Sequence, residues 1–548
     1  MASTRVTFVG ASRTSGFWMS SPAGRHPVVV LAILVGLAVL PVIMPASRII
    51  DGMRSASPAS DFALLELSTG EALRGTQLLG PYSRFGWRHP GPAYFYLQAP
   101  LYGASGASSA SLPVAALIFN WAALLGIVAC LRRWVEQPTV PIFALALFLV
   151  YGLYLGPGFL YNIWNPAVTI LPLGVFLILF AGLACGRTTV LPIVAGLGSF
   201  LVQTHVGYLP CVAAGALTSG ALWLRVRRRD GDVATSPHLP MILAVATLAA
   251  LWTMPLVEQM TRDPGNMSLI LRFFSGASAG HTWGEALAIV TRELAWPWSY
   301  ILYGPLPWYA PYQPLEGWRQ AVGGAFALGQ TGLLAFWSVR LREGSFFRAL
   351  GCVCLACTIV AVLATTRVSG EIRPYVTAWI SMVGMMGSLA ALGPVLASRR
   401  LALPIGRDQG ALILAVGLAI PVALVGRPLV QDSQFQPARS VSDAVRAELL
   451  ESGVHRPHVA IQTGSPGLFS AASAVLLQLH KAGVAFSVDR IWLNFFGERW
   501  HPSDRDDGLL EFHAGRPSGA PPALVCVPNG ASELCVWLVP RPPSPSAR

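Results

Sequence analysis

Lysine is almost missing from this chain: Lys481 stands alone among 38 basic residues, and the rest are arginine. Charge of either sign is scarce. Asp, Glu, Lys and Arg make up 12% of the 548 residues, about half the ~25% usual in soluble domains. A water-soluble protein of this length cannot cover its surface with so few charges. The shortage excludes a cytosolic enzyme, a disordered chain and a nucleic-acid module. Cysteine is sparse too. Six of the eight lie in or beside apolar segments, and only Cys526 and Cys535 fall in a clearly polar region.

What is present is apolar. Hydrophobic residues make up 53% and the mean hydropathy is +0.55. A membrane-crossing helix needs roughly 20 mostly apolar residues. Such runs stand near 27–46, 112–131, 139–156, 166–186, 189–206, 208–224, 238–256, 319–339, 348–366, 375–396 and 409–427. A twelfth stretch, 91–104, is shorter and holds two prolines and two glycines. The expected fold is therefore an all-α polytopic membrane bundle of about 11–12 transmembrane helices. A small C-terminal α/β domain follows it.

Arginine placement sets the expected orientation. The groups Arg5/Arg13/Arg25, Arg132/Arg133, Arg187, Arg225–Arg229, Arg340/Arg342/Arg348 and Arg399/Arg400/Arg407 sit between apolar runs. Eleven spans with a cytoplasmic N-terminus put every group inside, which makes 91–104 a half-span. The net charge of +12 is thus explained by topology, and no nucleic-acid partner is expected. Met44 and Pro45 suit a signal-peptide cleavage site poorly, so the first run is read as an anchor.

The expected domains follow. A cytoplasmic segment (1–26) precedes a multi-span region (27–428) with long outer loops at 47–90 and 257–318. An extracytoplasmic α/β domain (429–540) and a disordered tail (541–548) complete the chain. In the domain, helices are expected at 440–453 and 467–483, and strands at 458–464, 484–489, 523–528 and 534–540. The last two read as a hairpin around Asn529-Gly530 that sets Cys526 across from Cys535, a disulfide candidate. A helix at 284–295 is expected to lie on the membrane surface.

The loop at 60–97 concentrates the chain's scarce charges: Asp61, Glu66, Glu71, Arg74, Arg84, Arg88 and His89. Acids, arginines and aromatics beside a bilayer suit a polar site at the interface, although a solvated loop is the plainer account. His205 sits between two spans at the same face, where ionisable groups point to function. Trp164 and Asn165 are read as a belt residue and a helix cap, or as substrate contacts. Glu258 and Arg373 lie at span ends on that face. Cys352, Cys354 and Cys357 have no histidine or carboxylate beside them and are read as packing residues, so no metal site is assigned.

Several segments together carry a family resemblance. Asp61 follows the first span, and His89-Pro90-Gly91-Pro92 leads into the next apolar stretch. YNIWNPAVTILPLGVFLILF (161–180), FLVQTHVGYLP (200–210) and PLVEQMTRDPGNMSLILRFF (255–274) then follow in order. The chain resembles the C-type glycosyltransferase superfamily, and within it the bacterial protein O-mannosyltransferases and aminoarabinose transferases. One departure stands out. The family's paired Asp-Glu is here Asp61-Phe62, with the next acid at Glu66.

The resemblance implies an inverting enzyme of the cytoplasmic membrane. It would move a sugar from a polyprenyl-phosphate donor to a glycan, lipid or protein acceptor on the outer face. Asp61 and Glu66 become the catalytic candidates, with Asp61 as base. Arg84, Arg88, His89 and Arg373 become candidates for the donor phosphate, and His205, Asn165, Trp164 and Glu258 for substrate contact. A divalent metal requirement and the oligomeric state stay open. Two other classes compete: a multi-span transporter or flippase, and an envelope polysaccharide polymerase or ligase.

Overall fold

A computed structural model describes residues 45–53, 57–156, 158–230, 238–276, 280–312, 317–398 and 434–540, with Ile43, Ile413 and Gly417 singly. The expected segment 1–26, nearly all of the runs 27–46 and 409–427, and the tail 541–548 lie outside the described residues.

The first helices are α1 (Asp61–Leu73), α2 (Ala93–Ala104), α3 (Ser111–Trp134), α4 (Thr139–Leu155), α5 (Asn165–Ala184) and α6 (Leu191–Thr204). Next come α7 (Leu209–Asp230), α8 (His238–Thr261), α9 (Asn266–Gly276), α10 (Trp283–Leu294) and α11 (Trp296–Tyr303). The bundle closes with α12 (Gly317–Arg340), α13 (Phe346–Thr366) and α14 (Trp379–Leu396). Among the described residues, seven of these are long and apolar enough to cross a membrane: α3, α5, α7, α8, α12, α13 and α14. α4 and α6 are shorter apolar helices. α2, with 12 residues, reaches only about 18 Å at 1.5 Å per residue, against a ~30 Å hydrocarbon core.

The burial pattern fits a lipid solvent. α5 is enclosed by its neighbours, whereas α8 turns Leu239, Ile242, Val245 and Leu248 outward. An apolar face of that extent suits contact with acyl chains. α10 opens on a capping box, in which Glu285 N–H donates to Thr282 Oγ1 at 3.3 Å and Thr282 N–H donates to Glu285 Oε2 at 2.9 Å. It packs against α12, α13 and α14 with Ala286, Val290 and Leu294 buried. It is thus part of the bundle and not the surface-lying helix expected.

The C-terminal domain holds α15 (Ala438–Glu451), α16 (Pro466–Lys481) and five strands: β1 (Pro457–Ile461), β2 (Ser487–Val488), β3 (Gly508–Ala514), β4 (Val525–Asn529) and β5 (Ser532–Pro540). Sheet order is β2-β1-β3-β5-β4. β1 runs parallel to β2 and β3, and the β3–β5 and β5–β4 pairs are antiparallel. The strand expected at 484–489 shrinks to two residues, and β3 arises where no element was expected. Cys526 and Cys535 are directly opposed and joined as a disulfide.

α1 ties the two parts together. Ala63, Leu64 and Leu67 belong to the C-terminal domain's core with Val441, Val475 and Phe496. Leu65 and Ala72, on the other side of α1, belong to the bundle core. Two ion pairs fasten the docking: Lys481 with the buried Glu66, and Arg499 with Glu71 at 2.6 Å.

Candidate active site

A cavity of about 1120 Å³ opens between the bundle and the loop 80–90. Its wall carries the polar groups Asp61, Tyr82, Arg84, His89, Trp164 and Arg367. Much of the rest of the wall is apolar, with Leu209 on α7, Trp252 on α8, Ile270 and Phe273 on α9, and Val360 and Leu363 on α13.

Asp61 is the first residue of α1, where a carboxylate is favoured by the helix dipole. Ser60 before it holds φ 51° and ψ −134°, a region that L side chains seldom occupy. The Tyr82 hydroxyl donates to Asp61 Oδ1. The Trp164 indole donates to Oδ2 at 2.8 Å. Burial raises the Asp61 carboxyl above its usual value, with the Tyr82 and Trp164 hydrogen bonds opposing. Trp164 is itself held between Tyr309 and Tyr375, at ring distances of 4.8 and 4.9 Å.

The His89 and His205 rings lie 4.7 Å apart, tilted by 33°. His89 Nδ1 accepts from Val206 N–H at 3.1 Å, which places the proton of a neutral ring on Nε2. Burial, with His205 and Arg88 nearby, holds His89 well below its usual value. Burial pushes His205 down to about 4. Both rings are therefore neutral near pH 7, and Arg84 and Arg367 supply the positive charge of the cavity wall.

The H-P-G-P segment is fixed by Gln203. Its Oε1 accepts from Ala93 N–H at 3.3 Å, and its Nε2 donates to the Leu251 carbonyl at 2.8 Å. A Cβ on Gly91 would stand 2.4 Å from Gln203 Oε1, so a larger residue there would push the Gln203 side chain off its partners. Asn165 Nδ2 donates to the Thr204 carbonyl at 3.1 Å, joining α5 to the end of α6.

Of the residues singled out in the sequence, Asp61, Arg84, His89, Trp164, Asn165 and His205 line the cavity. Four do not. Glu66 accepts from Tyr102 Oη at 3.1 Å and Ser109 Oγ at 3.0 Å and pairs with Lys481. It faces away because α1 continues unbent through Leu73, and five residues on a helix turn roughly 140°. Arg88 is buried, with Nε donating to the Gly80 carbonyl at 3.1 Å and its backbone clamped by Asn266 at 2.8 Å. Glu258 accepts from Asn266 N–H at 3.0 Å and so holds that clamp. Arg373 pairs with Glu371 at 3.1 Å on the surface. Tyr82 and Arg367 had not been singled out. A cluster of Cys526, Glu533 and Cys535 resembles a metal set, but both thiols are consumed by the disulfide.

No protein-family model and no curated protein matches the chain. Among solved structures, it is similar to ArnT from Cupriavidus metallidurans bound to undecaprenyl phosphate, at 12% identity over 93% of this chain and 98% of that one, with a TM-score of 0.47. It is similar to the arabinofuranosyltransferase AftD from Mycobacteria at 12% identity, over 92% of this chain and 40% of that one, with a TM-score of 0.40. The arabinosyltransferase EmbB from Mycobacterium smegmatis gives 14% identity, 76% and 43% coverage, and a TM-score of 0.32. The chain spans less than half the length of AftD and EmbB. At such identities, and with every TM-score below 0.5, these likenesses carry no argument about activity.

Proposed function

We propose that this chain is a membrane glycosyltransferase that moves a sugar from a polyprenyl-phosphate carrier to an acceptor hydroxyl, with inversion and with Asp61 as general base. The observation that carries this reading is the cavity's mixed wall. A carboxylate held by two donors shares one cavity with Arg84 and Arg367, and much of the remaining wall is apolar. A lipid-linked sugar needs both surroundings in one cavity, polar groups for the sugar and phosphate and an apolar wall for the isoprenoid. The cavity and the C-terminal domain lie on the extracytoplasmic face of the cytoplasmic membrane in this reading, with the arginine groups inside.

The chemistry follows from the groups present. Each Asp61 oxygen accepts one hydrogen bond and keeps a lone-pair direction for an acceptor O–H. The ionised carboxylate takes that proton as the acceptor oxygen bonds to the anomeric carbon. The bond from that carbon to the phosphate oxygen breaks, and the electron pair leaves on the phosphate. Arg84 and Arg367 offset the added charge with planar donor forks. The neutral His89 ring offers a hydrogen bond. The raised Asp61 carboxyl makes a stronger base once ionised, and such groups contribute roughly 10²–10⁴-fold.

The test uses the full chain in lipid nanodiscs with radiolabelled polyprenyl-phosphate sugars, and undecaprenyl phosphate as binding probe. Asp61→Asn abolishes sugar transfer and leaves undecaprenyl phosphate binding intact. Transfer at the unmodified rate by Asp61→Asn overturns the assignment.

A further inference from the structure

The C-terminal domain reaches the surroundings of Asp61 at three separate points without lining the cavity at any of them. The first is the backbone before Asp61. Ser60 holds its unfavourable φ of 51° while its N–H donates to Ser473 Oγ on α16 at 2.8 Å. Ser473 is fully buried, and its own hydroxyl is fixed by donating to the Ser470 carbonyl at 2.7 Å. The second and third points lie on the loop that carries Tyr82. Asn494 Nδ2 donates to the Ser83 carbonyl at 2.7 Å. The Phe495 ring packs on the Tyr82 ring at 4.7 Å. Phe495 is braced in turn by Phe469 and Trp492, at 5.4 and 5.7 Å.

We propose that Ser473, Asn494 and Phe495 are positioning residues: they fix the Asp61 carboxylate through Ser60 and Tyr82, so that the C-terminal domain completes the active site from outside the cavity. The inference rests on the reading of Asp61 as base. Three observations make it more than domain docking. All three contacts act on residue 60 or on the Tyr82 loop, which with Trp164 fix where the carboxylate stands. One face of α1 is embedded in the domain's core through Ala63, Leu64 and Leu67, so the helix that begins at Asp61 is anchored in the domain as well as in the bundle. Tyr82 is only half-buried and Ser60 occupies a glycine-like region, and the domain contacts both.

The test reads the carboxyl directly and needs no sugar donor. Dicyclohexylcarbodiimide adds to protonated carboxyls in apolar surroundings, and the Asp61 adduct is followed by mass spectrometry against pH on the full chain in nanodiscs. The groups that bear on Asp61 are Tyr82 on its loop and Tyr375 beside it, with Arg84, His89, His205 and Arg367 in the same cavity. Tyr82→Phe removes a donor to the carboxylate and moves the labelling midpoint up by roughly half to one pH unit. Phe495→Leu, which keeps an apolar side chain in the domain, moves it in the same direction, and Asn494→Ala and Ser473→Ala do likewise. Combining Phe495→Leu with Tyr82→Phe gives no more than Tyr82→Phe alone, because both act through one hydrogen bond. Additive shifts, or an unmoved midpoint in Phe495→Leu and Asn494→Ala alike, overturn the inference. Should Phe495→Leu fail to fold, Asn494→Ala carries the same cycle. Sugar transfer by Asp61→Asn would sink the base assignment and leave the labelling cycle standing, so the two failures are distinct.

Discussion

Trp164 Nε1 lies 2.8 Å from Asp61 Oδ2, a hydrogen bond that spans 103 residues and ties the start of α5 to the start of α1. The Tyr82 hydroxyl occupies the other oxygen. A carboxylate gripped at both oxygens has one orientation. In the proposed reaction that orientation decides which substrate atom the carboxylate meets, and an acceptor hydroxyl must come within about 3.2 Å to be deprotonated.

Trp164→Phe keeps a ring between Tyr309 and Tyr375 and removes the donor. Burial already raises the Asp61 carboxyl, and the two hydrogen bonds work against it. Losing one raises it further. A base must be ionised, so transfer falls as pH drops through its pKa, and in Trp164→Phe that acid limb moves to higher pH. The variant loses more activity at pH 6 than at pH 8. A pH–rate profile of the same shape and position as that of the unmodified protein refutes the assignment.

Ser60→Gly tests the backbone conformation that precedes Asp61. The observed φ of 51° with ψ −134° costs a non-glycine residue roughly 1–3 kcal/mol, less the ~0.5–1 kcal/mol that glycine loses in chain entropy. Ser60→Gly keeps the N–H bonded to Ser473 and raises stability by about 1 kcal/mol. Ser60→Val, whose branched side chain resists that region, lowers it. Thermal unfolding in nanodiscs ranks the three.

Lys481→Met removes the chain's sole lysine and leaves Glu66 buried without its cation. Breaking a pair of this kind costs roughly 3 kcal/mol. The double variant Lys481→Met with Glu66→Gln recovers most of the loss, because a neutral amide still accepts from Tyr102 and Ser109. Glu66→Gln alone stays within a few-fold of the unmodified rate of transfer, in contrast to Asp61→Asn. A loss as complete as that of Asp61→Asn would return Glu66 to the chemistry.

The spans were legible because length and hydropathy suffice in a solvent that pairs with no backbone group, and Arg132, Arg187 and Arg340 mark the ends of such runs. Asp61 stood out as the first of the scarce charges gathered at 60–97, a short way past the first apolar run. Tyr82 did not, because nothing in a loop aromatic says which distant carboxylate it will meet. Arg367 and Arg373 are six residues apart around Gly370, whose φ of 73° turns the chain. The first reaches the cavity and the second pairs with Glu371, and only the path of that turn separates them. Glu66 misled because spacing was read without knowing that α1 stays straight. β3 went unread because GLLEFHA follows a polar, proline-bearing stretch and pairs with partners far along the chain.

Acid weakens the seam between α1 and the C-terminal domain, and its sense is fixed by two groups. Burial, with Arg74 beside it, pushes His480 down from 6.5 to about 4. Between those values the unfolded chain binds a proton that the folded chain refuses, so stability falls as pH drops from 6.5 toward 4. Glu71 acts in the same sense lower down. Burial pulls its carboxyl up, but the Arg499 and Thr76 hydrogen bonds and the charges of Arg499 and Arg74 outweigh that and hold it below 4.5. Its contribution is present above 4.5 and is lost as pH falls through the folded value. The thermal midpoint therefore declines in two stages, and His480→Gln flattens the first while leaving the second. Because Ser60 and Tyr82 are held by the same domain, the Asp61 adduct profile should broaden over the range in which the seam loosens. A midpoint that is level from pH 6.5 to 5 in the unmodified protein would show that His480 is not buried against Arg74 as the fold places it.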